Sequence, residues 1–299
     1  MENDVFNADM HIHTKYSGMM KYMGLKFPDS VEEPLKVMKC AKANGMDIIA
    51  VTDHNTIKGA LEVKKLEKEF GIEVIVGSEI MSSEGEILGL FLNEDIPARL
   101  SPEETIERIH EQGGLAVCPH PYSPICEAIG DKVFELDFDG VEVYNAFHRD
   151  GIVNNIALDK VLKNYHKSPF AFLGNSDAHL ARMIGNGNTK FEGNSADDLF
   201  NAIKHRKTTY EGTPTPLSDI ILWSYNVIYA SEKALLKSMV KKDDNIVNYN
   251  CSKFKKGIAA FGGLMYIGTP LPLVAGVLGN IYLKKKAKQK LKEVIQEVI

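Results

Sequence analysis

Short apolar runs alternate with amphipathic stretches through residues 1–212 of the chain. Six of these runs are rich in valine and isoleucine, which is typical of strands that are buried on both faces. These predicted strands occupy residues 47–53, 73–79, 86–92, 114–120, 140–145 and 170–177. One more predicted strand lies at the start of the chain and runs into "DMHIHT" at residues 9–14.

The amphipathic stretches predict five helices, at residues 31–44, 57–70, 102–112, 151–166 and 195–206. The third has clear start signals, since Ser101 is a predicted N-cap, Pro102 takes the first helical position and Glu104 completes a capping box. Alternating strands and helices predict a parallel sheet, and the number of strands favours a barrel over an open sheet. No glycine-rich nucleotide-binding loop follows any strand, which argues against a nucleotide-cofactor fold. The predicted fold class is therefore an α/β barrel.

The sequence "TPTPLSD" at residues 213–219 is a predicted domain boundary. It separates a barrel domain at residues 1–215 from a helical extension at residues 216–299. Beyond the boundary, residues 220–242 predict one helix, and the polar stretch "DDNIVNYNCS" follows it. The last residues, "LKKKAKQKLKEVIQEVI", predict an amphipathic helix that lies against a membrane surface or a partner.

Composition narrows the class of protein. The chain has 299 residues, of which 44% are hydrophobic and 25% are charged, as in a soluble globular protein with one large core. None of its four cysteines forms a C-x-x-C pair, so the sequence favours neither a disulfide framework nor a thiolate zinc site. The start of the chain lacks the apolar stretch of a signal peptide, so we expect a cytoplasmic location. A net charge of −5 gives no general reason to expect nucleic-acid binding.

The charge is distributed unevenly along the chain. Nine lysines and two glutamates follow residue 252, a balance of +7, so that the remainder carries −12. Within this basic region, residues 257–283 carry no charged side chain and are longer than the roughly 20 apolar residues that span a bilayer. Pro270 and Pro272 interrupt the segment near its middle. Two interpretations of residues 257–283 are open. The segment could associate with a membrane, as a re-entrant hairpin or an interfacial helix pair, or it could form a buried helical hairpin.

Side chains that bind metals follow several of the predicted strands, at the point where each strand ends. They are His11 and His13 after the first strand, Asp53 and His54 after the second, Glu79 after the third, His120 after a later one, and Asp177 and His179 after the last. Because the carboxyl ends of parallel strands meet on one face of an α/β fold, we expect these groups to lie close together.

The chemistry of these groups indicates a metal centre. Imidazole and carboxylate without thiolate suit zinc, manganese or iron. Each feature alone has an ordinary alternative: Asp53 could cap a helix, Glu79 could be a strand-end acid, and His120 could be a turn residue. The joint occurrence at strand ends favours the metal centre. Two cations about 4 Å apart can activate a water molecule and bind the oxygens of a phosphate ester.

The other histidines do not fit this pattern. His110, His166 and His205 lie in helical stretches among charged residues and are predicted to be at the surface. His148 follows a strand and could line the mouth of the site.

The ordered motifs D-x-H-x-H, T-D-H-N-T, G-x-E, H-P and S-D-A-H resemble those of the PHP (polymerase and histidinol phosphatase) superfamily. More narrowly, the chain is similar to stand-alone phosphoesterases related to the nucleoside-bisphosphate phosphatases. The resemblance covers roughly residues 5–212. It implies a distorted seven-stranded (β/α) barrel that carries two or three divalent ions, either manganese, zinc or iron.

Transferred residue by residue, the resemblance implies the metal ligands His11, His13, His54, Glu79, His120, Asp177 and His179. Glu79 would bridge two ions, and Asp53 would support His54 from behind. Two departures weaken one metal position. Relatives place an aspartate shortly after the first motif, where this chain has "KYSGMMKYMG", and they place a histidine where this chain has Glu86, which could substitute as a ligand.

The predicted function is that of a metal-dependent phosphoesterase acting on a small phosphorylated molecule such as a nucleotide or sugar phosphate. Asp177, His179 and Glu79 are the predicted catalytic residues, and the phosphate-binding candidates are Arg182, Arg149 and Lys15. One alternative is a PHP-type nuclease, against which the acidic body of the chain argues. The other is a non-catalytic metal-binding module tethered by its C-terminal tail. The sequence does not specify an oligomeric state.

Overall fold

A computed structural model of the chain describes residues 5–17, 19–22, 25–240 and 253–296. Its strands are β1 (Val5–Asp9), β2 (Met19–Tyr22), β3 (Leu25–Pro28), β4 (Ile48–Val51), β5 (Glu73–Met81), β6 (Glu86–Leu90), β7 (Leu115–Cys118), β8 (Gly140–Asn145), β9 (Ala171–Asn175), β10 (Gly187–Glu192) and β11 (Thr208–Gly212). Its helices are α1 (Pro34–Ala43), α2 (Lys58–Lys64), α3 (Glu67–Phe70), α4 (Pro102–Glu111), α5 (Ile152–Asn164), α6 (Ala196–Lys204), α7 (Leu217–Val240), α8 (Lys253–Ile267) and α9 (Leu271–Gln296).

The main sheet curls into a nearly closed barrel. It has nine strands in the order β11-β10-β1-β4-β5-β6-β7-β8-β9, and β2 pairs with β3 in a separate hairpin. Beyond the strand ends, Ile12 forms a parallel bridge with Ala178, and the His13 amide donates to the Ala178 carbonyl at 2.9 Å. This bridge joins the segments that follow β1 and β9, so the last strand of the sheet returns to the interior strand β1 at the carboxyl side. The predicted α/β barrel with a C-terminal helical extension is confirmed.

The sheet differs from the predicted one in strand direction and number. It is mixed rather than parallel, because β6 runs antiparallel to both β5 and β7. Only residues 82–85 connect β5 to β6, and a parallel crossover needs a dozen residues or more. The strands number nine instead of seven because β10 and β11, which pair antiparallel beside β1, have polar sequences that lack the apolar pattern of the others.

The predicted helices are present, with one correction. The helix predicted at 57–70 is two short helices, α2 and α3, because Leu66 and Glu69 donate to carbonyls three residues back instead of four. Helix α4 begins as predicted, since the Ser101 hydroxyl accepts from the Glu104 amide at 3.1 Å.

The barrel core is built from the apolar faces of the strands and helices. Val37 and Met38 of α1, Val63 of α2 and Ile109 of α4 are fully buried against strand residues. With these helices on the outside, the carboxyl end of the barrel is left for the segments that follow the strands.

The three C-terminal helices pack against each other and against the barrel. The Trp223 indole of α7 donates to the Asp29 carbonyl at 2.8 Å, and the Ser224 hydroxyl lies 2.9 Å from that of Tyr266 on α8. Helices α8 and α9 meet near Pro270 and Pro272, the two prolines that interrupt the uncharged segment. Over the described residues, no single helix is long and apolar enough to cross a membrane. The pair Phe254–Ile267 and Leu271–Val294 meets that requirement only jointly, with a bend of 89°. The polar stretch predicted at 243–252 lies outside the described residues.

Candidate metal centre

The structure brings all seven predicted ligands to the carboxyl end of the barrel. They are His11 and His13 beyond β1, His54 beyond β4, Glu79 near the end of β5, His120 beyond β7, and Asp177 and His179 beyond β9. Six are buried, and His54 is partly exposed. The parallel bridge between His54 and Glu79 extends the β4–β5 pairing up to the site.

Glu79 lies at the middle of the cluster. One carboxylate oxygen, Oε2, is 3.3 Å from His11 Nε2, 3.4 Å from His13 Nε2 and 3.2 Å from His54 Nδ1. The other, Oε1, is 3.1 Å from His120 Nε2. Burial raises the pKa of Glu79, but the charges of His11 and His54 lower it well below its usual range. Both oxygens of the Glu79 carboxylate thus lie near imidazoles, and its role as a bridge between two ions stays a prediction.

Asp177 also lies near the first two histidines. Its Oδ1 is 3.5 Å from Nε2 of both His11 and His13, and 3.4 Å from His179 Nδ1. Burial raises the pKa of Asp177, but the charge of His11 and a hydrogen bond to His13 lower it well below its usual range. Asp177 is therefore a second anionic ligand candidate beside Glu79.

Asp29 also reaches the centre, although it was not predicted from the sequence. It follows the β2–β3 hairpin, and its Oδ2 lies 2.8 Å from His179 Nε2, 3.5 Å from His54 Nε2 and 3.8 Å from His13 Nδ1. Burial raises its pKa, but the charge of His179 and a hydrogen bond to it lower that pKa to about 2. The β2–β3 hairpin thus brings to the centre a carboxylate that the sequence analysis did not assign.

Glu86 and Cys126 form a further side of the cluster. Glu86 lies on β6, 3.8 Å from His120 Nε2 and 3.9 Å from His54 Nδ1. Burial and the neighbouring Glu79 raise its pKa to about 7. Cys126 has a sulfur within ligand range of Glu86 and His120. Glu86 thus occupies the place that the sequence predicts for a substitute ligand.

The donor atoms fit divalent ions. Among the described residues, His11 Nε2, His13 Nε2, His54 Nδ1 and His120 Nδ1 are buried without a hydrogen-bond partner. Buried polar atoms rarely stay unpaired, so these nitrogens indicate bonds to an ion. Burial and the nearby His179 lower the pKa of His13 to about 4. The donors form overlapping groups, of which His11–His13–Asp177 and His13–Asp29–His54–His179 are two.

Two buried carboxylates accept hydrogen bonds from ligand residues or from the loops that carry them. Glu142 accepts from His11 Nδ1 at 2.9 Å and from the His120 amide at 3.0 Å, which fixes the imidazole of His11 and the backbone that carries His120. Asp53 accepts from the Thr14 amide and hydroxyl, each at 2.6 Å, and so supports the loop that carries His13. Asp53 was predicted to support His54, whereas its hydrogen bonds go to Thr14; Glu142 was missed. The signal for Glu142 was a charged residue inside the otherwise apolar "GVEVYN".

Two of the ligand candidates have backbone conformations that are rare for residues with side chains. His120 has φ of 27° and Asp177 has φ of 53°. Such conformations cost about 1–3 kcal/mol each and cluster at functional sites.

The three phosphate-binding candidates lie outside the ligand cluster. Arg182 Nε is 3.1 Å from Asp219 Oδ1 on α7. Arg149 donates to the Thr215 carbonyl and, at 2.7 Å, to Asn280 on α9. Lys15 Nζ is 2.6 Å from a carboxylate oxygen of Glu33. Their phosphate-binding role stays a prediction.

The remaining histidines occupy different environments. His148 is buried, with its ring 6.0 Å from that of His120, so it lines the site. His110 Nε2 is 2.9 Å from Asp139 on the far side of the barrel. His166 and His205 are exposed.

Sequence comparisons relate this chain to one family model and to several known proteins. The PHP-associated family model matches residues 155–208. An uncharacterized protein of Methanocaldococcus jannaschii is 69% identical over 163 residues, which are 54% of this chain and 95% of that protein. A 5'-3' exoribonuclease of Haemophilus influenzae is 29% identical over 113 residues, 36% of this chain and 37% of the enzyme.

One solved structure has a similar fold. It is a two-domain protein from Bacteroides vulgatus that contains a predicted PHP-like metal-dependent phosphoesterase. It superposes with a TM-score of 0.54 and 19% identity, over 71% of this chain and 66% of its own. At that identity the likeness shows the fold alone.

Proposed function

Because this chain belongs to the PHP (polymerase and histidinol phosphatase) superfamily, we propose that it is a metal-dependent phosphoesterase that hydrolyses a phosphate ester of a small molecule. Its substrate class is a nucleotide or sugar phosphate. The observation that carries the proposal is the convergence of imidazole and carboxylate donors, with unpaired buried nitrogens, at one end of the barrel.

The residues at the site differ in role according to where they lie. Glu79 and Asp177 both provide anionic oxygens within about 3.5 Å of His11 and His13. Divalent ions held there would activate a water molecule and neutralise the oxygens of the phosphate. Glu142 and Asp53 hold the ligand loops in place, so that the site does not reorganise during the reaction. Asp177, His179 and Glu79 stay the predicted catalytic residues.

The first experiment measures bound metal together with manganese-stimulated phosphate release from nucleotides and sugar phosphates. The full chain is compared with His13→Ala and Asp177→Ala, and with His166→Ala as a control, because His166 is an exposed histidine that belongs to none of the donor groups. We expect two or more ions in the wild type, and a fall in activity of about a hundredfold or more in both ligand variants. The control is expected to match the wild type.

Two results would overturn the proposal. If the wild type binds metal but releases phosphate from no ester, the protein is a non-catalytic metal-binding module. If it binds no divalent metal at all, the donor cluster has another role.

A nuclease is the second candidate, and the similarity to the Haemophilus influenzae exoribonuclease favours it. Against it stands the balance of −12 in residues 1–252, since a groove that follows a nucleic-acid backbone is normally basic. The same preparations are therefore incubated with a short single-stranded RNA. Nucleotide release that exceeds phosphate release from every small ester would favour the nuclease.

A further inference from the structure

A groove of about 200 Å³ runs between the barrel and the C-terminal helices. Its barrel side is formed by Phe147, His148 and Arg149, in the segment that follows β8. Its helical side includes Ile220 of α7 and Gly279 of α9. The C-terminal extension therefore builds a cavity that the barrel does not have by itself.

The groove shares two side chains with the metal centre. The Phe147 ring lies 5.4 Å from the His179 ring and 5.5 Å from the Trp223 ring. The neighbouring His148 ring lies 6.0 Å from that of His120. A molecule in the groove would contact the same residues that pack against the ligand histidines.

The lining of the groove is mainly apolar. Besides Phe147 and Ile220 it includes Ile221, Ala275 and Leu283. Its cation, Arg149, already donates to the Thr215 carbonyl and to Asn280. With its one cation engaged in internal hydrogen bonds, the lining matches an apolar group better than a second phosphate or a sugar.

We propose that this groove binds the apolar part of the alcohol in an amphiphilic phosphate ester, while the phosphate group is held at the metal centre. The proposal rests on the proposed function of a phosphoesterase but changes its substrate class, from nucleotide or sugar phosphates to esters that carry an alkyl or similar apolar group. Pockets that combine an apolar wall with a few polar groups are typical of small-molecule sites.

Gly279 allows the groove to be filled without disturbing its walls. A Cβ added at Gly279 would have no atom within 4 Å, so the side chain of Gly279→Leu enters open space in the groove. Gly262 of α8 is the matched control, because it is an exposed helical glycine that also has no atom within 4 Å and does not line the groove. Gly279→Leu and Gly262→Leu thus make the same chemical change on neighbouring helices.

The first readout is binding of hexylphosphonate and methylphosphonate to the manganese-loaded full chain, which does not require turnover. Trp223 is the only tryptophan in the chain and lies against Phe147, so its fluorescence reports on the groove. We expect the wild type to bind hexylphosphonate about tenfold more tightly than methylphosphonate, because several methylene groups leave water. Gly279→Leu is expected to lose this preference, and Gly262→Leu is expected to keep it. The same titrations are repeated by calorimetry, so that a change in the tryptophan signal alone is not mistaken for a change in affinity.

The second readout is kcat/KM for hexyl phosphate and methyl phosphate, whose leaving groups are chemically alike. We expect the wild type to prefer the hexyl ester about tenfold and Gly279→Leu to hydrolyse both esters equally. Equal affinity of the wild type for the two phosphonates would overturn the groove proposal, whatever the enzyme hydrolyses. A hexyl preference that survives in Gly279→Leu would also overturn it. Hexyl-selective binding without hydrolysis of any ester would instead overturn the proposed function and leave the groove as a binding site.

Discussion

Gly59 shows how closely the support of the metal centre is packed. It lies in α2 against Asp53, whose carboxylate accepts two hydrogen bonds from Thr14. A Cβ at this position would lie 1.8 Å from Asp53 Oδ2 and 2.4 Å from Thr14 Oγ1. The helix therefore requires glycine here, because any side chain would displace the carboxylate that holds the Thr14 loop.

Gly59→Ala is accordingly expected to lower the free energy of unfolding by about 1–3 kcal/mol, as overpacking in a buried site does. Helix propensity alone would change it in the opposite direction by about 1 kcal/mol. Urea unfolding of both proteins measures the difference. Gly262→Ala is the control and is expected to be neutral or stabilising, since its Cβ meets no atom within 4 Å. Equal stability of Gly59→Ala and the wild type would contradict the packing described here.

Asp29 is a ligand candidate that was not predicted from the sequence, so its substitution tests whether its carboxylate binds an ion. Asp29→Asn removes the carboxylate that lies within 3.8 Å of His13, His54 and His179. We expect the variant to keep its fold and to lose about one bound ion per chain. Elemental analysis after dialysis measures this number. Asp137→Asn, at an exposed aspartate, is the control and should bind as much metal as the wild type. An unchanged metal content in Asp29→Asn would show that Asp29 only orients the histidines.

Asp29 and the other ligand candidates differ in whether their position could be predicted from the sequence. His11, His54 and His120 each follow a strand, so their convergence could be derived from the topology of an α/β fold. Asp29 follows a hairpin inserted between the first motif and α1, and nothing in its local pattern indicates where that hairpin returns.

At the scale of elements, strand pairing beyond the ends of the strands positions the site. The bridges between Ile12 and Ala178 and between His54 and Glu79 continue two parallel pairs into the ligand segments. Short apolar runs were sufficient to predict the strands that carry these segments. The direction of β6 and the presence of β10 and β11 depend on long-range pairing, and periodicity within one segment carries no information about that.

Asp139, at the start of the segment that leads into β8, joins three elements on the far side of the barrel. Its carboxylate accepts from the Ala116 amide of β7 at 2.9 Å, lies 2.9 Å from His110 Nε2 of α4 and accepts from Lys204 Nζ of α6 at 2.6 Å. Burial raises its pKa, but the hydrogen bonds from His110 and Lys204 outweigh this and lower it.

Because the pKa of Asp139 is lower in the folded than in the unfolded chain, its ionised form stabilises the fold above the unfolded value of about 3.9. That contribution is lost as the pH falls through the folded pKa. Asp139→Asn is therefore expected to lower the free energy of unfolding at pH 7 by about 1–2 kcal/mol. The difference should shrink below about pH 4. Urea unfolding at several pH values measures it, with Asp137→Asn as a control. A difference that is constant with pH would show that the charge of Asp139 does not matter.

At the scale of the whole molecule, the barrel and the last two helices differ in surface chemistry. Apolar side chains that share an exposed face recur along α8 and α9; among them are Phe254, Ile258, Phe261, Leu264, Leu273, Leu278 and Ile281. Lysines flank this face, at residues 253–256 and 284–292. The inner side of α9 lines the groove, so the helix is apolar on both faces. A helix that is apolar on all sides is normally buried, so we expect both faces of α9 to be covered.

We propose that the face formed by these exposed side chains docks on an anionic bilayer. Its apolar residues would enter the region between head groups and acyl chains, and its lysines would contact anionic head groups, each worth about 1 kcal/mol. The positive balance of the region after residue 252, opposite to the rest of the chain, favours an anionic surface over a neutral one.

Sedimentation with lipid vesicles tests this proposal on the full chain. We expect binding to vesicles with about one third phosphatidylserine to exceed binding to pure phosphatidylcholine by about tenfold, and to fall at high salt. Phe261→Asp is expected to abolish it, because it places a charge in the middle of the apolar face of α8. Leu61→Asp, an equally drastic change at an exposed leucine of α2, should bind as the wild type does. If the wild type ignores both vesicles but forms a dimer that Phe261→Asp dissociates, this face is an interface between two copies and the membrane proposal is wrong.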